Sequence, residues 1–378
     1  MIKAVMDAQG NVHRAIQGVL RRLLEQGVVD ALLVPMLLPT GNVAPMLVTD
    51  PNALDQADPL APVLPINAAR AASQLLMTEH REKLGVVLRS CEIRALVELV
   101  KFQQAKLDNA GGPGVRIIGV DCLGTYGLTE WQATSSKQTV LDALLAGAAT
   151  GDLAPYAGMQ FRTACQMCEQ PLPRGDHLAL TIGLVGVEAG QLYLRAQPDL
   201  AQALDLVAGD APAGRKEAVE KLITARTQAR DAAFAGFRQR VNSMDGLLQE
   251  FSTCIRCHNC MINCPICYCR ECIFRTPTFE HESQLLFQWA ERKGTVRMLP
   301  DTLLFHLTRL NHMVTSCVGC GLCADACPVD IPVGTVFRAV GEKAQAIFDY
   351  HPGRSLDDAA PVQQFREDEL TALGERPH

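Results

Sequence analysis

The residues best equipped for chemistry are the cysteines. Fifteen occur in 378 residues: none before Cys91, four between Cys91 and Cys168, and eleven crowded between Cys254 and Cys327. The densest stretch, Cys254-Ile-Arg-Cys257-His-Asn-Cys260-Met-Ile-Asn-Cys264-Pro265, is a C-x2-C-x2-C-x3-C-P run. It recurs with the same spacing as Cys317-Val-Gly-Cys320-Gly-Leu-Cys323-Ala-Asp-Ala-Cys327-Pro328. In such runs three closely spaced thiolates wrap three corners of an iron–sulfur cube, while the fourth cysteine points away and ligates the partner cube. The spacing therefore predicts two interlocked 4Fe-4S sites, one held by Cys254, Cys257, Cys260 and Cys327 and the other by Cys317, Cys320, Cys323 and Cys264. Pro265 and Pro328 cannot continue a hydrogen-bonded helix and turn the chain away from each site. Gly319 and Gly321 let the backbone approach inorganic sulfide, where amide hydrogen bonds tune the potential. Structural zinc is the competing chemistry, since C-x2-C is also a zinc knuckle. A tetrahedral ion needs two such pairs, and nothing about it requires a third and a fourth cysteine before proline in both copies.

Three thiols in CPICYCREC, Cys267, Cys269 and Cys272, are surplus once eight ligands are assigned, and are read as structural. His258, His306 and His312 are read as surface or packing residues. The 52 residues from Pro265 to Ser316 carry helical periodicity. Leu285, Leu286 and Trp289 share one face, and Leu303, Leu304, Leu307, Leu310 and Val314 form a stripe after a helix start at Pro300-Asp301.

The other four cysteines need positioning elements of a different kind. Leu84-Gly-Val-Val-Leu is a short apolar run ending at Ser90-Cys91, and Val115-Arg-Ile-Ile-Gly-Val ends at Asp121-Cys122. Ile93, Leu96, Val97 and Val100 lie between them at helical spacing, so residues 84–122 read as strand–helix–strand. A right-handed crossover makes the strands parallel and brings both cysteines to one carboxyl edge, where open α/β sheets bind ligands. Cys91 also falls at a helix start, where the macrodipole favours the thiolate. Cys165-Gln-Met-Cys168 follows, before a strand-like run from His177. Spacing alone leaves two readings of Cys91, Cys122, Cys165 and Cys168 open: a third cluster, or small buried thiols at strand ends.

Composition sets the outer limits. The chain is 48% hydrophobic and 20% charged, enough apolar side chain for a sizeable core, and long enough for two or three compact units. A net charge of −6 supplies no basic field for a phosphate backbone, so nucleic acid is not an expected partner. The apolar stretch Val28–Val48 is interrupted by Asp30, Pro35, Pro39 and Pro45, so no membrane span is expected. The N-terminus lacks the apolar core of a secretory signal, which points to the cytoplasm. No Ser-His-Asp group, paired-carboxylate site or phosphate loop suggests hydrolysis.

The chain resembles the β subunits of deazaflavin-coenzyme-dependent formate dehydrogenases and hydrogenases, in particular the formate dehydrogenase branch. The resemblance spans most of the sequence. It is carried by Cys91-Glu-Ile-Arg-Ala-Leu, Ile118-Gly-Val-Asp-Cys-Leu-Gly-Thr125, Cys165-Gln-Met-Cys168 with Gly175-Asp176 beyond it, CIRCHNCMINCPICYCREC and SCVGCGLCADACPVDIPV. It implies an α/β flavin-type domain with FAD and one 4Fe-4S cluster, held by Cys91, Cys122, Cys165 and Cys168, joined to a two-cluster module. It also implies electron transfer between a deazaflavin or flavin and a catalytic oxidoreductase subunit, in some members with heterodisulfide reductase-like partners. Where that family usually carries a Gly-Gly helix start near the flavin, this chain reads Val12-His-Arg-Ala-Ile-Gln-Gly-Val19, with Arg14 and Gln17 inside it. Ser90 stands where a proline commonly precedes the first site cysteine. Gly124 and Thr125 are then the candidates for backbone approach to a flavin.

The expected organisation is an α/β domain over 1–205, a helical linker over 206–250, a two-cluster ferredoxin domain of α-helical type over 251–345, and an extended tail over 346–378. Clusters move one electron and hydride chemistry moves two, so a flavin is the usual converter between them. With FAD the chain is a two-electron gate, and without it a wire or a structural iron–sulfur scaffold within such a complex. Either way it works as one subunit of a hetero-oligomeric complex.

Overall fold

The computed structural model describes residues 1–78, 82–108, 114–296 and 301–364. Seven strands form one sheet: β1 (Ile2–Asp7), β2 (Ala31–Leu37), β3 (Val43–Val48), β4 (Leu84–Arg89), β5 (Arg116–Val120), β6 (Leu178–Gly183) and β7 (Gln191–Ala196). Their order is β1-β7-β6-β5-β4-β2-β3. The central strands β6, β5, β4 and β2 are parallel, while β3 on one side and the β7–β1 pair on the other are antiparallel. β4 and β6 are buried along their whole length, as strands covered on both faces are, which is why their sequences run apolar without alternation.

The unit expected over 84–122 is present. β4 leads into the helix Ser90–Lys101, and β5 returns parallel to β4 from Gly85 opposite Arg116 to Arg89 opposite Val120. The interrupted apolar stretch Val28–Val48 becomes the β2–β3 hairpin, with Pro35 opposite Pro45. Pro35 lies beyond Ala31–Leu33, the part of β2 paired with β4, so its missing N–H breaks no ladder there. The Ala110–Gly114 connector lies almost wholly outside the described residues.

One face of the sheet packs Leu32, Val87, Ile118 and Leu180 against Ile16, Leu20 and Leu144. The other packs Leu33, Val86, Leu88 and Ile117 against Ile93 and Leu96, and that core continues into Phe234, Phe237, Phe251, Phe305 and Phe337 of the cysteine-rich half. The helix Arg215–Arg240, expected as part of a linker, is structural: Ala218 and Leu222 join the first core, Phe234 and Phe237 the second. A helix that serves two cores along its length has no single apolar stripe, and its sequence therefore reads as a solvated one.

Two helices, Ser283–Lys293 and Thr302–Met313, fill the segment between the cysteine runs. The first half-buries Leu285, Leu286 and Trp289. The second follows Asp301; Pro300 of the expected start lies outside the described residues. Its expected leucine stripe is corrected by a rotation: the buried side chains are Thr302, Phe305, His306, Arg309, Leu310 and Met313, while Leu304 and Leu307 are 50% and 41% exposed.

The described part of the tail packs on the α/β half. Tyr350 is buried on the Ser90–Lys101 helix, where its hydroxyl donates to Glu98 Oε1 (2.6 Å) and accepts from Lys101 Nζ (2.8 Å). Gly353 N donates to the same carboxylate at 2.8 Å, and Ala360 is fully buried beside Phe102. The buried Glu98 carboxylate, already paired with Lys101 at 3.3 Å on the same helix, takes its remaining hydrogen bonds from this segment. Residues 365–378 lie outside the described residues. Among the described residues, no helix is long and apolar enough to cross a membrane.

Candidate metal centre

The carboxyl ends of β4 and β5 deliver Cys91 and Cys122. Cys91 occupies the first turn of its helix, fixed by the buried Glu92, whose carboxylate accepts from Arg89 N (2.9 Å) and Ala68 N (2.8 Å). Asp121 Oδ2 accepts from Leu184 N, Val185 N and Arg215 Nη1 at 2.9–3.1 Å, which locks the end of β5 to that of β6 and sets the Cys122 turn. Cys165 and Cys168 sit on and just after the short helix Thr163–Gln166. The four sulfur-bearing residues, together with Cys320, line one small cavity of about 20 Å³. The expected thiolate-favouring helix start is overridden at Cys91. Burial pushes its thiol well above the usual range, and the charges of Glu92, Cys122, Cys320 and Cys168 push the same way. Burial likewise raises Cys122 to about 11.

In the C-terminal half the structure brings two further groups together. Burial raises the thiols of Cys254 and Cys260, with Cys257 and Cys327 close enough to add to both. Cys264 is pushed up to about 12 by burial, with Cys320 and Cys317 adding, and Cys323 feels Cys320, Cys264 and Cys317. Cys264, Cys317, Cys320 and Cys323 line a cavity of about 80 Å³. The fourth cysteine of each run thus stands with the first three of the other. Buried thiolates at this density repel one another unless a multiply charged cation lies among them, and soft sulfur donors suit iron–sulfur. The donor sets fit 4Fe-4S cubes. Cys267 is half-buried, Cys269 is exposed, and Cys272 packs its sulfur 3.8 Å from Met261 Sδ. Among the described residues, no three His, Cys, Asp or Glu side chains gather round a single-ion site.

Three side chains at these sites carry no motif. Arg162, 6% exposed, donates to Thr125 Oγ1 (3.0 Å) and to the Cys320 carbonyl (2.9 Å), and pairs with Asp325, so it ties the Cys165 helix to the second cysteine run. Arg309 donates through Nη1 to Cys260 Sγ at 3.1 Å and through Nη2 to the Cys260 carbonyl at 3.0 Å. His306 places Nε2 3.4 Å from Cys254 Sγ and stacks on Phe251 at 4.0 Å. Burial lowers its pKa to about 3, so the ring is neutral. It packs, as expected, but against a site cysteine. His258 stacks on Phe305, and His312 is exposed. The signal that could have found Arg309 and His306 is their i, i+3 spacing between Phe305 and Met313 on one helical face.

Gly124 and Thr125 lie beside the first cysteine group. Thr125 is 1% exposed; its hydroxyl is 3.1 Å from Cys165 Sγ and its carbonyl accepts from Arg162 N at 2.8 Å. A Cβ on Gly124 would meet the Phe161 ring at 3.0 Å. Both residues thus have partners in the cysteine site and the aromatic core. At the N-terminus, Gln17 is buried and donates to the carbonyls of Asp55 and Ala57, and Arg14 is exposed.

Residues 250–331 match the 4Fe-4S dicluster domain family. The F420-dependent formate dehydrogenase subunit beta of Methanocaldococcus jannaschii is 26% identical over 379 residues, covering 92% of this chain and 93% of its own. The F420-dependent formate dehydrogenase 1 subunit beta of Methanococcus maripaludis is 26% identical over 392 residues, covering 93% of both. A solved structure of the F420-reducing [NiFe] hydrogenase complex from Methanosarcina barkeri matches with a TM-score of 0.43 and 12% identity, over 65% of this chain and 94% of that one. The chain is thus similar from end to end to two F420-dependent formate dehydrogenase β subunits, and its paired cysteine runs match the 4Fe-4S dicluster domain.

Proposed function

We propose that this oxidoreductase subunit relays single electrons through three 4Fe-4S clusters. Cys91, Cys122, Cys165 and Cys168 would hold the first, Cys264, Cys317, Cys320 and Cys323 the second, and Cys254, Cys257, Cys260 and Cys327 the third. The observation that carries this reading is Cys320, which lines the cavities of the first and second groups alike. The second and third groups interlock through Cys264 and Cys327. When bound, each cluster supplies one-electron chemistry. The chain's own residues position the cluster ligands: Glu92 and Asp121 fix the strand-end cysteines, and Arg162 and Arg338 clamp the second run onto the α/β half.

One end of the relay serves a deazaflavin- or flavin-type carrier. The other serves a catalytic partner of the formate dehydrogenase, hydrogenase or heterodisulfide reductase type, in a cytoplasmic hetero-oligomer. The contacts of Gly124 and Thr125 favour a wire over a flavin-containing gate, which assigns the two-electron step to a partner. Anaerobic purification with iron, acid-labile sulfide and flavin analysis tests all three parts. About twelve irons per chain without stoichiometric flavin are expected. About eight irons would remove the cluster at Cys91, stoichiometric FAD would restore the gate, and zinc without sulfide would end the proposal.

A further inference from the structure

A buried charge without a counter-charge needs an explanation. Arg309 is 4% exposed, and among the described residues no carboxylate lies within ion-pair distance of it. Its Nε is buried without a hydrogen-bond partner. What surrounds it is two aromatic rings, Phe305 and Phe337, with centroids 5.5 and 4.9 Å from the guanidinium carbon, and the cysteines of both C-terminal groups. It donates to Cys260 Sγ of one group and also lines the cavity of Cys264, Cys317, Cys320 and Cys323. Of the other buried arginines, Arg162 pairs with Asp325, while Arg89 and Arg226 have no carboxylate within ion-pair distance among the described residues and line the cavity of the Cys91 group.

Desolvating a guanidinium is costly, and stacking on rings offsets only part of that cost. A neutral thiol accepting one hydrogen bond adds little. A cubane with four thiolate ligands is a net anion and gains a further negative charge on reduction, so an adjacent fixed cation favours the reduced form.

Resting on the cluster reading above, we infer that Arg309 is the shared counter-ion of the two C-terminal clusters and raises the reduction potential of both. The Cys91 group lies outside its reach and serves as an internal reference.

The test is a potentiometric titration of the full-length, anaerobically purified chain, followed by electron paramagnetic resonance, for wild type, Arg309→Met and Arg309→Lys. With iron and sulfide at the wild-type level, Arg309→Met should lower both C-terminal potentials by at least a tenfold change in the reduction equilibrium, ~59 mV for one electron. Arg309→Lys should stay within that limit, and the signal of the Cys91 group should not move. A shift in one C-terminal cluster alone, or in neither, overturns the inference. If Arg309→Met assembles no C-terminal clusters, Arg309→Lys decides: normal assembly and potentials support a charge requirement, and failure to assemble overturns it. Wild-type chain lacking iron and sulfide would instead refute the cluster reading itself.

Discussion

The two cysteine runs share a backbone but not a sequence. Arg256 and Gly319 occupy the same place in the two copies, as do His258 and Gly321, and all four are left-handed, with φ of 57°, 70°, 59° and 78°. The conformation follows from the need to fold three thiols around one centre. The residue that adopts it follows from the surroundings. The second run is pressed against the α/β half: a Cβ on Gly321 would lie 2.2 Å from Ala164 Cβ, and one on Gly319 2.8 Å from the Arg338 side chain. The first run has room, and fills it with Arg256 paired to Asp301 at 2.5 Å and His258 stacked on Phe305 at 4.5 Å. A left-handed non-glycine residue costs roughly 1–2 kcal/mol, so the first run retains these side chains only where their contacts offset that cost.

The largest expected effect comes from forcing the second run to resemble the first. Gly321→Ala adds left-handed strain and drives a methyl into the helix that carries Cys165, so it should destabilise the chain by about 3 kcal/mol. It should also lower iron at the Cys91 group. Denaturant unfolding and iron analysis check this; an unchanged midpoint would show that the contact between the halves is slack.

The reverse change in the first run should cost less. Arg256→Gly relieves the left-handed strain but leaves Asp301, 5% exposed, without its cation. Breaking a buried pair by removing one partner costs about 3–5 kcal/mol, so the net loss should be about 2 kcal/mol. Adding Asp301→Asn should recover part of it, and a double-mutant cycle measures how much.

The two runs also differed in how readily they could be read. Cysteine spacing and the periods of β4, β5 and the helix between them are local properties, so the groupings to be looked for and the strand–helix–strand unit were legible. Arg309 and His306 were not, because a hydrophobic stripe is the usual guide to a buried face, and this helix turns an arginine and a histidine inward toward sulfur while exposing Leu304 and Leu307. Arg162 was hidden for a related reason: its partners, Thr125, Cys320 and Asp325, come from segments far apart in the chain. The packing of the Arg215–Arg240 helix, expected only as part of a helical linker, was not legible because it divides its apolar side chains between two cores.

Difference in exposure gives a third comparison, expressed as a rate. Cys257 is exposed, whereas none of the cysteines of the second run is. Under the cluster assignment, air or ferricyanide should bleach the cluster of Cys254, Cys257, Cys260 and Cys327 severalfold faster than its neighbour, because oxidation of a thiolate-bound cluster follows access. Time-resolved resonance spectra would separate the two signals. Simultaneous loss would mean that the exposed thiol does not set the order.

The smallest effect belongs to His258, and it isolates the backbone term. His258→Gly removes left-handed strain of roughly 1–2 kcal/mol and gives up a stack on Phe305 worth about 0.5–1.5 kcal/mol. The two nearly cancel, so stability should stay within ~1 kcal/mol of wild type, while His258→Ala, which keeps the strain and loses the ring, should be the less stable of the pair. Thermal unfolding of the three proteins under argon gives the order. If the alanine variant matched the glycine variant, left-handed strain would not distinguish the runs, and the glycines of the second would be explained by crowding against Ala164 and Arg338 alone.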